Sequence, residues 1–396
     1  MKLKRILPLL LSAAVLTAAV IGSAAVQNKK EVIVATSDEA TPSEAVAEEE
    51  MRGVWISYME LSMENEEDKS EAAFKDKFER IASRCKSLGF NTLVVQVRPF
   101  CDALYKSDYF PYSHILTGIQ GKNPHYDPLE IICEVCRAKK LKLHAWVNPY
   151  RVRSSQTPAE ISGRTPSRGL TIETESGAIL DPSNEKARKL IVNGVREIVQ
   201  NYDVDGVQYD DYFYPEDFED EDEEQYEEYK SRQQGDIMSI EAWRTLQVNL
   251  LISETYIAVH ECKKDVVFGI SPQGNLSNNA KLNADVESWC CVKGFVDYIC
   301  PQLYFSLDNP ALSFESALQQ WKSLDFAEGV KLYAGLAGYK AGSDADEGTW
   351  KEADDILSRE YSICQGETDG IILFDYDSLE ADDSKKEINN LSRSFG

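Results

Sequence analysis

The stretch DPSNEKARKLIVNGVREIVQNYDVDGVQYDD, residues 181–211, holds one helix-to-strand unit. The Asp181-Pro182 pair marks a helix start, because proline lacks only an N–H that the first helical turn leaves unused. An amphipathic segment follows, and a strand begins at Val204. Strand residues alternate faces, so Gln208 and Asp210 point one way and Tyr209 the other, while Asp211 opens the next loop.

The same unit recurs in both directions. Strand-like runs begin at Arg52 (RGVWISY), Asn91 (NTLVVQVRP), Leu141 (LKLHAWVNP), Val266 (VVFGISP), Val296 (VDYICPQLYF), Lys331 (KLYAGLAGY) and Thr368 (TDGIILFDYD), making eight with the one at Val204. Between them, AAFKDKFERIASRCKSLGF places Phe74, Phe78, Ile81 and Cys85 at helical spacing, and Gly89 stops that helix. Asp127-Pro128 opens another helix, and SIEAWRTLQVNLLISETYIAVHECKK precedes the strand at Val266. Short apolar strands alternating with helices specify parallel β/α units, and eight of them imply a closed (β/α)8 TIM barrel over residues 51–396.

The flanks and the composition bound the setting. Lys2, Lys4 and Arg5 precede an uncharged run from Ile6 to Val26 that ends in small residues, so residues 1–26 read as a signal peptide or an N-terminal membrane anchor. Residues 27–50 read as a disordered acidic linker. The barrel is therefore expected outside the cytoplasm, secreted or tethered through residues 6–26 to the outer face of the cytoplasmic membrane. The 42 Lys and Arg against 67 Asp and Glu give a net charge of −25, which excludes a nucleic-acid surface and disfavours anionic lipid. Nine cysteines leave at least one thiol unpaired, and Cys133 and Cys136 form a CxxC inside a helical segment, where core packing outweighs a zinc or redox role. No HxH, HExxH, GxSxG, P-loop or GxGxxG occurs, so neither metal nor cofactor is expected. The acidic run EDFEDEDEEQYEEY after Pro215 reads as a solvated loop.

In a β/α barrel the chemistry lies at the C-terminal strand ends. Those ends carry Glu60, Arg98 with Asp102, His144 with Asn148 and Arg151, Gln208 with Asp210 and Asp211, Gln273 with Asn275, Gln302 with Tyr304, and Asp375 with Asp377. Two adjacent carboxylates repel, so one pKa should rise, and glycoside cleavage needs one raised and one ordinary carboxyl. The bland alternative is a loop cap and an ion pair with Arg98 or Arg151. Arg98 reads equally as a substrate-orienting group and as half of an ion pair with Asp102, itself a candidate second acid. His144, Trp146 and Asn148 share a face; His144 is a sugar ligand or a satisfied core histidine. With 19 Tyr and 6 Trp, aromatic rings are available to stack on sugar faces.

The blocks MRGVWISYMEL, VVQVRPFCDALYKSDYFPYS, LHAWVNPYRV, DVDGVQYDDYFYP, FGISPQGN, PQLYFS and LYAGLAGYK resemble the glycosyl hydrolase-like 10 family, from about Met51 to about Leu379. The resemblance implies a TIM-barrel hydrolase of the cell envelope; at least one similar enzyme cleaves peptidoglycan strands lacking stem peptides. It carries over Arg98, Asp102, His144, Asn148, Asp210, Asp211, Gln302 and Tyr304. The chain departs from the family pattern at Asp375, where serine is expected, and at Cys101, where glycine is common. The expected partner is thus a polysaccharide. Asp210, Asp211 and Asp102 are the catalytic candidates; Arg98, His144, Asn148, Arg151, Gln208, Gln302 and Tyr304 are the binding candidates. In a substrate-assisted route Asp210 would polarise an acetamide and Asp211 would protonate the leaving oxygen, or the reverse. A non-catalytic glycan-binding barrel is the rival reading.

Overall fold

The computed structural model describes residues 49–154, 169–215, 218–351 and 353–396. The expected signal segment, and the linker up to residue 48, lie outside the described residues.

The first three strands are β1 (Met51–Ile56), β2 (Thr92–Arg98) and β3 (Lys142–Val147). Three short strands then interrupt the β/α rhythm: β4 (Arg151–Ser154), β5 (Thr171–Thr174) and β6 (Gly177–Leu180) form a separate antiparallel sheet in the order β4-β6-β5. The main sheet resumes with β7 (Gly206–Tyr209), β8 (Val267–Ile270), β9 (Tyr298–Ile299), β10 (Lys331–Leu332), β11 (Ala334–Ala337) and β12 (Gly370–Phe374). All its pairings are parallel, in the order β10-β9-β8-β7-β3-β2-β1-β12-β11. The two ends of that order, β10 and β11, are one predicted strand broken at Tyr333 alone. The sheet thereby closes on itself, and its nine segments make the eight staves expected of a (β/α)8 barrel.

Helices cover the outside. Glu71–Ser87 is capped by Ser70 and buries Phe74, Phe78, Ile81 and Cys85. Pro128–Lys139 starts at the expected proline under an Asp127 cap and buries Cys133 and Cys136. Burial pushes the Cys133 thiol up to about 12 and Cys136 further, as expected of inert core cysteines. All nine cysteines are described, and none is in a disulfide. Glu185–Asn201 begins later than Asp181-Pro182 suggested, because Asn184 takes the cap while Asp181 accepts from the Ser183 N–H and hydroxyl at 2.9 and 2.7 Å. The acidic run is a helix over Glu223–Arg232 rather than a loop. Asp222 pins its start by a buried ion pair with Arg244, which also lies over the Phe218 ring.

Inward-facing residues fill the barrel in layers. Trp55, Val94, Trp146, Tyr298, Tyr333 and Ile372 form an interior cluster distinct from the outer core. Gly206 and Gly269 make room for its rings: a Cβ at Gly206 would come within 2.7 Å of the His144 ring, and one at Gly269 within 2.1 Å of Tyr298. Tyr209 faces outward as expected and bonds Thr255 on the helix Ile240–Cys262 at 3.0 Å.

Candidate active site

The Asp pair sits where the alternation of β7 places it. Gln208 and Asp210 point into the barrel, and Asp211 follows at the mouth. Both carboxyls are buried, at 5% and 8% exposure. On one side, the Trp146 indole N–H donates to Asp210 Oδ2 at 3.1 Å, and the Asn148 amide donates to the same oxygen. Asn148 is itself set by Gln96, whose Oε1 accepts from the Tyr58 N–H at 3.0 Å. One hydrogen-bonded chain thus runs from the start of the loop after β1 through β2 and β3 to Asp210. On the other side, Gln302 donates to Asp211 Oδ1 at 3.0 Å and Gln273 donates to Oδ2. Each carboxylate has its own pair of side-chain donors, contributed by β3 and the segment after it on one side and by the segments after β8 and β9 on the other.

Electrostatics separate the two acids. Burial raises the Asp210 carboxyl to about 7, against the lowering pull of Arg151 and with a further push from Asp211. Asp211 is also raised by burial, but its two glutamine donors favour the ionised form. Asp210 therefore holds a proton near neutrality more readily than Asp211.

Arg151, the first residue of β4, lies beside the pair. Its Nε donates to the Pro99 carbonyl at 2.8 Å, and its guanidinium stacks 4.9 Å from the Phe100 ring centre and 5.1 Å from Tyr212. Tyr304 forms the opposite wall with half-exposed Tyr339 and with Phe374, at ring separations of 5.7 and 5.9 Å. Gln208 lies fully buried beneath the pair and accepts from the Trp55 indole at 2.6 Å, so it forms the floor. A second acidic pair lines the rim of the adjacent staves: burial raises Glu60 to about 7 and Asp375 to about 6. Among the described residues no group of three His, Cys, Asp or Glu side chains is arranged to hold a metal.

Three candidates lie elsewhere. Arg98 is 1% exposed, and its Nη2 donates to the Asn148 and Pro149 carbonyls at 2.9 and 3.0 Å. A register shift between Gln96 and Arg98 turns it out of the barrel onto Phe110, 4.7 Å away. It holds the loop after β3 instead of reaching a ligand, and it does not pair with Asp102. Asp102 is completely buried, 3.2 Å from the Gln120 amide and 3.6 Å from the His114 ring. His144 bonds Tyr298 at 3.0 Å deep in the barrel, and burial lowers it to about 3, so it is neutral. It lies four residues, about 13 Å, below Asn148 along the strand direction. Sequence reasoning passed over Gln96 and the Trp146 indole as site residues, although Trp146 sits two residues before Asn148 and shares its face, and Gln96 falls two residues after Val94 on the inward face of β2.

Residues 50–352 match the glycosyl hydrolase-like 10 family. This chain belongs to that family. Its relatives include glycosyl hydrolase YngK of Bacillus subtilis (strain 168), 32% identical over 81% of this chain and 68% of that protein. Glycosyl hydrolase DigH of Escherichia coli (strain K12) is 28% identical over 87% of each. The fold is similar to the PgaB (BpsB) glycoside hydrolase domain from Bordetella bronchiseptica, with a TM-score of 0.57, 13% identity, and coverage of 85% of this chain and 97% of that one. Family membership supports a glycan-acting hydrolase, and the structural likeness shows the barrel fold that carries it.

Proposed function

We propose that this family member is an exported glycoside hydrolase that cleaves an N-acetylated cell-envelope glycan, the glycan strands of peptidoglycan. The observation that carries the reading is the buried Asp210-Asp211 pair, each acid clamped by separate donors and Asp210 lifted to about 7. Two acids of which one is raised further than the other offer the division of labour that glycoside cleavage requires. Asp210 protonates the leaving glycosidic oxygen. Asp211, whose ionised form Gln273 and Gln302 favour against the push of burial, accepts the acetamide N–H of the substrate, and the acetamide oxygen attacks the anomeric carbon. Water then opens the cyclic intermediate, with Asp210 returning as base. Of the two assignments that the sequence left open, these environments favour the one with Asp210 as the acid and Asp211 at the acetamide. The alternative pairing of Asp210 with Asp102 has little support, since Asp102 is wholly buried within the loop after β2, against Gln120 and His114.

The test is an assay on purified peptidoglycan strands, with new reducing ends followed by mass spectrometry. Asp210→Asn and Asp211→Asn should each lower turnover by about 100-fold or more. On an N-acetylhexosaminide with an activated aryl leaving group, which needs no acid, Asp210→Asn should recover and Asp211→Asn should not. Binding without release of saccharide ends by the unaltered protein would favour a glycan-binding barrel instead.

A further inference from the structure

Arg151 sits at the site as a cation with no acid of its own. Arg84, Arg137, Arg153, Arg188, Arg196 and Arg244 each hold a carboxylate directly. In a chain with 67 Asp and Glu against 42 Lys and Arg, an arginine at an acidic mouth would be expected to do the same. Arg151 does not: among the described residues no carboxylate lies within ion-pair reach of it, and it acts on Asp210 and Asp211 only through space. Its position is nevertheless fixed. Nε is committed to the Pro99 carbonyl, and the guanidinium is held between Phe100 and Tyr212. Phe100 is braced in turn by Tyr58, edge-on at 5.3 Å. Tyr212, the outer ring, is 56% exposed, so the sandwich opens to solvent.

A planar guanidinium stacked on rings and anchored through Nε keeps its two Nη groups as a fork, the geometry that matches a carboxylate. We propose that Arg151 is a specificity residue that binds a free carboxylate substituent on the sugar next to the cleavage point. The inference rests on the hydrolase reading above and narrows its substrate to an acidic N-acetylated glycan. In peptidoglycan the group is the lactyl carboxylate, which carries its charge only where no peptide is amide-linked to it. A uronic acid ring offers the same chemistry from a different source.

The experiment compares peptide-free strands with the same strands after their carboxyls are reduced to alcohols, using the unaltered protein, Arg151→Lys and Arg151→Met. Reduction should lower kcat/KM of the unaltered protein by about 10- to 100-fold, the size of a lost charge-assisted pair. Arg151→Met should lose as much on native strands and little more on reduced ones. Arg151→Lys, which keeps the charge but not the fork, should fall between. Equal cutting of native and reduced strands by the unaltered protein would overturn the proposal, and that arm needs no variant to fold. An equal loss in Arg151→Met on both polymers would also overturn it, because the arginine would then act only by tuning Asp210. If no polymer is cut, the hydrolase reading fails, and co-sedimentation with native and reduced strands still decides whether binding depends on Arg151 and the carboxylate together. Hyaluronan, as a third polymer, identifies the source: Arg151-dependent binding to it that exceeds binding to peptide-free strands would assign the group to a ring acid and overturn the lactyl assignment.

Discussion

Trp146 shows how one donor tunes the site. Its indole N–H meets Asp210 Oδ2 at 3.1 Å and favours the ionised acid, while burial favours the protonated one and wins. Trp146→Phe keeps the ring in the interior cluster and deletes only the donor. The hydrogen bond is worth about 1 kcal/mol, so the Asp210 pKa should rise by roughly half a unit to one unit. If Asp210 is the acid, the alkaline limb of the kcat/KM profile moves up by that amount; an unmoved limb would place the essential proton on another group. This coupling was partly legible in the chain, since a period of two puts Trp146, Asn148, Gln208 and Asp210 on one face. Arg98 was not legible, because the shift after Gln96 inverts its face without any sequence mark. Nor was the burial of Asp102 and His144, which depends on what the loop after β2 and the ring of Tyr298 do above and beside them.

At the scale of strands, the staves were legible because parallel strands covered on both faces read as short apolar runs. The sheet β4-β6-β5 was not, since RVRS and TIET are short and polar and neither alternates cleanly. It is nonetheless β4 that delivers Arg151, so the part of the fold hardest to read supplies the cation of the site. The interior depends on size matching between staves. Gly206 on β7 faces His144 on β3, and a methyl group there would meet the ring at 2.7 to 2.8 Å. The ring cannot retreat without breaking its bond to Tyr298. Gly206→Ala should therefore cost about 1–3 kcal/mol in thermal or denaturant unfolding, as overpacking does. Adding His144→Ala removes the clash, so the double variant should be more stable than the sum of the two single losses predicts. Additive losses would mean that the two residues do not share the space assigned to them.

Over the whole molecule, the acids that equip the mouth oppose stability at neutral pH. Asp210 and Glu60 are raised to about 7 and Asp375 to about 6, all chiefly by burial. Unfolding returns each to its ordinary value near 4, so between about pH 4 and about pH 7 the unfolded chain releases protons that the folded one keeps. Stability must therefore fall as pH rises through that window. His144 works the other way: lowered to about 3 in the fold, it favours unfolding as pH drops below its ordinary value of 6.5. Burial also raises Asp211, Glu197, Glu360 and Glu387, so the raised carboxyls outweigh the one lowered imidazole and place the stability maximum on the acid side of neutrality. The melting temperature should drop by about 5 °C or more between about pH 5.5 and about pH 8. Asp210→Asn carries no charge to desolvate, so it should melt above the unaltered protein at about pH 8 and converge with it near pH 4, even as it loses activity. The stabilised, inactive variant would mark Asp210 as a group whose strain serves the chemistry. If both proteins instead melted alike at every pH, Asp210 would not be holding a raised proton in the fold, and the acid would have to be sought in Asp211 or at the Glu60 and Asp375 rim.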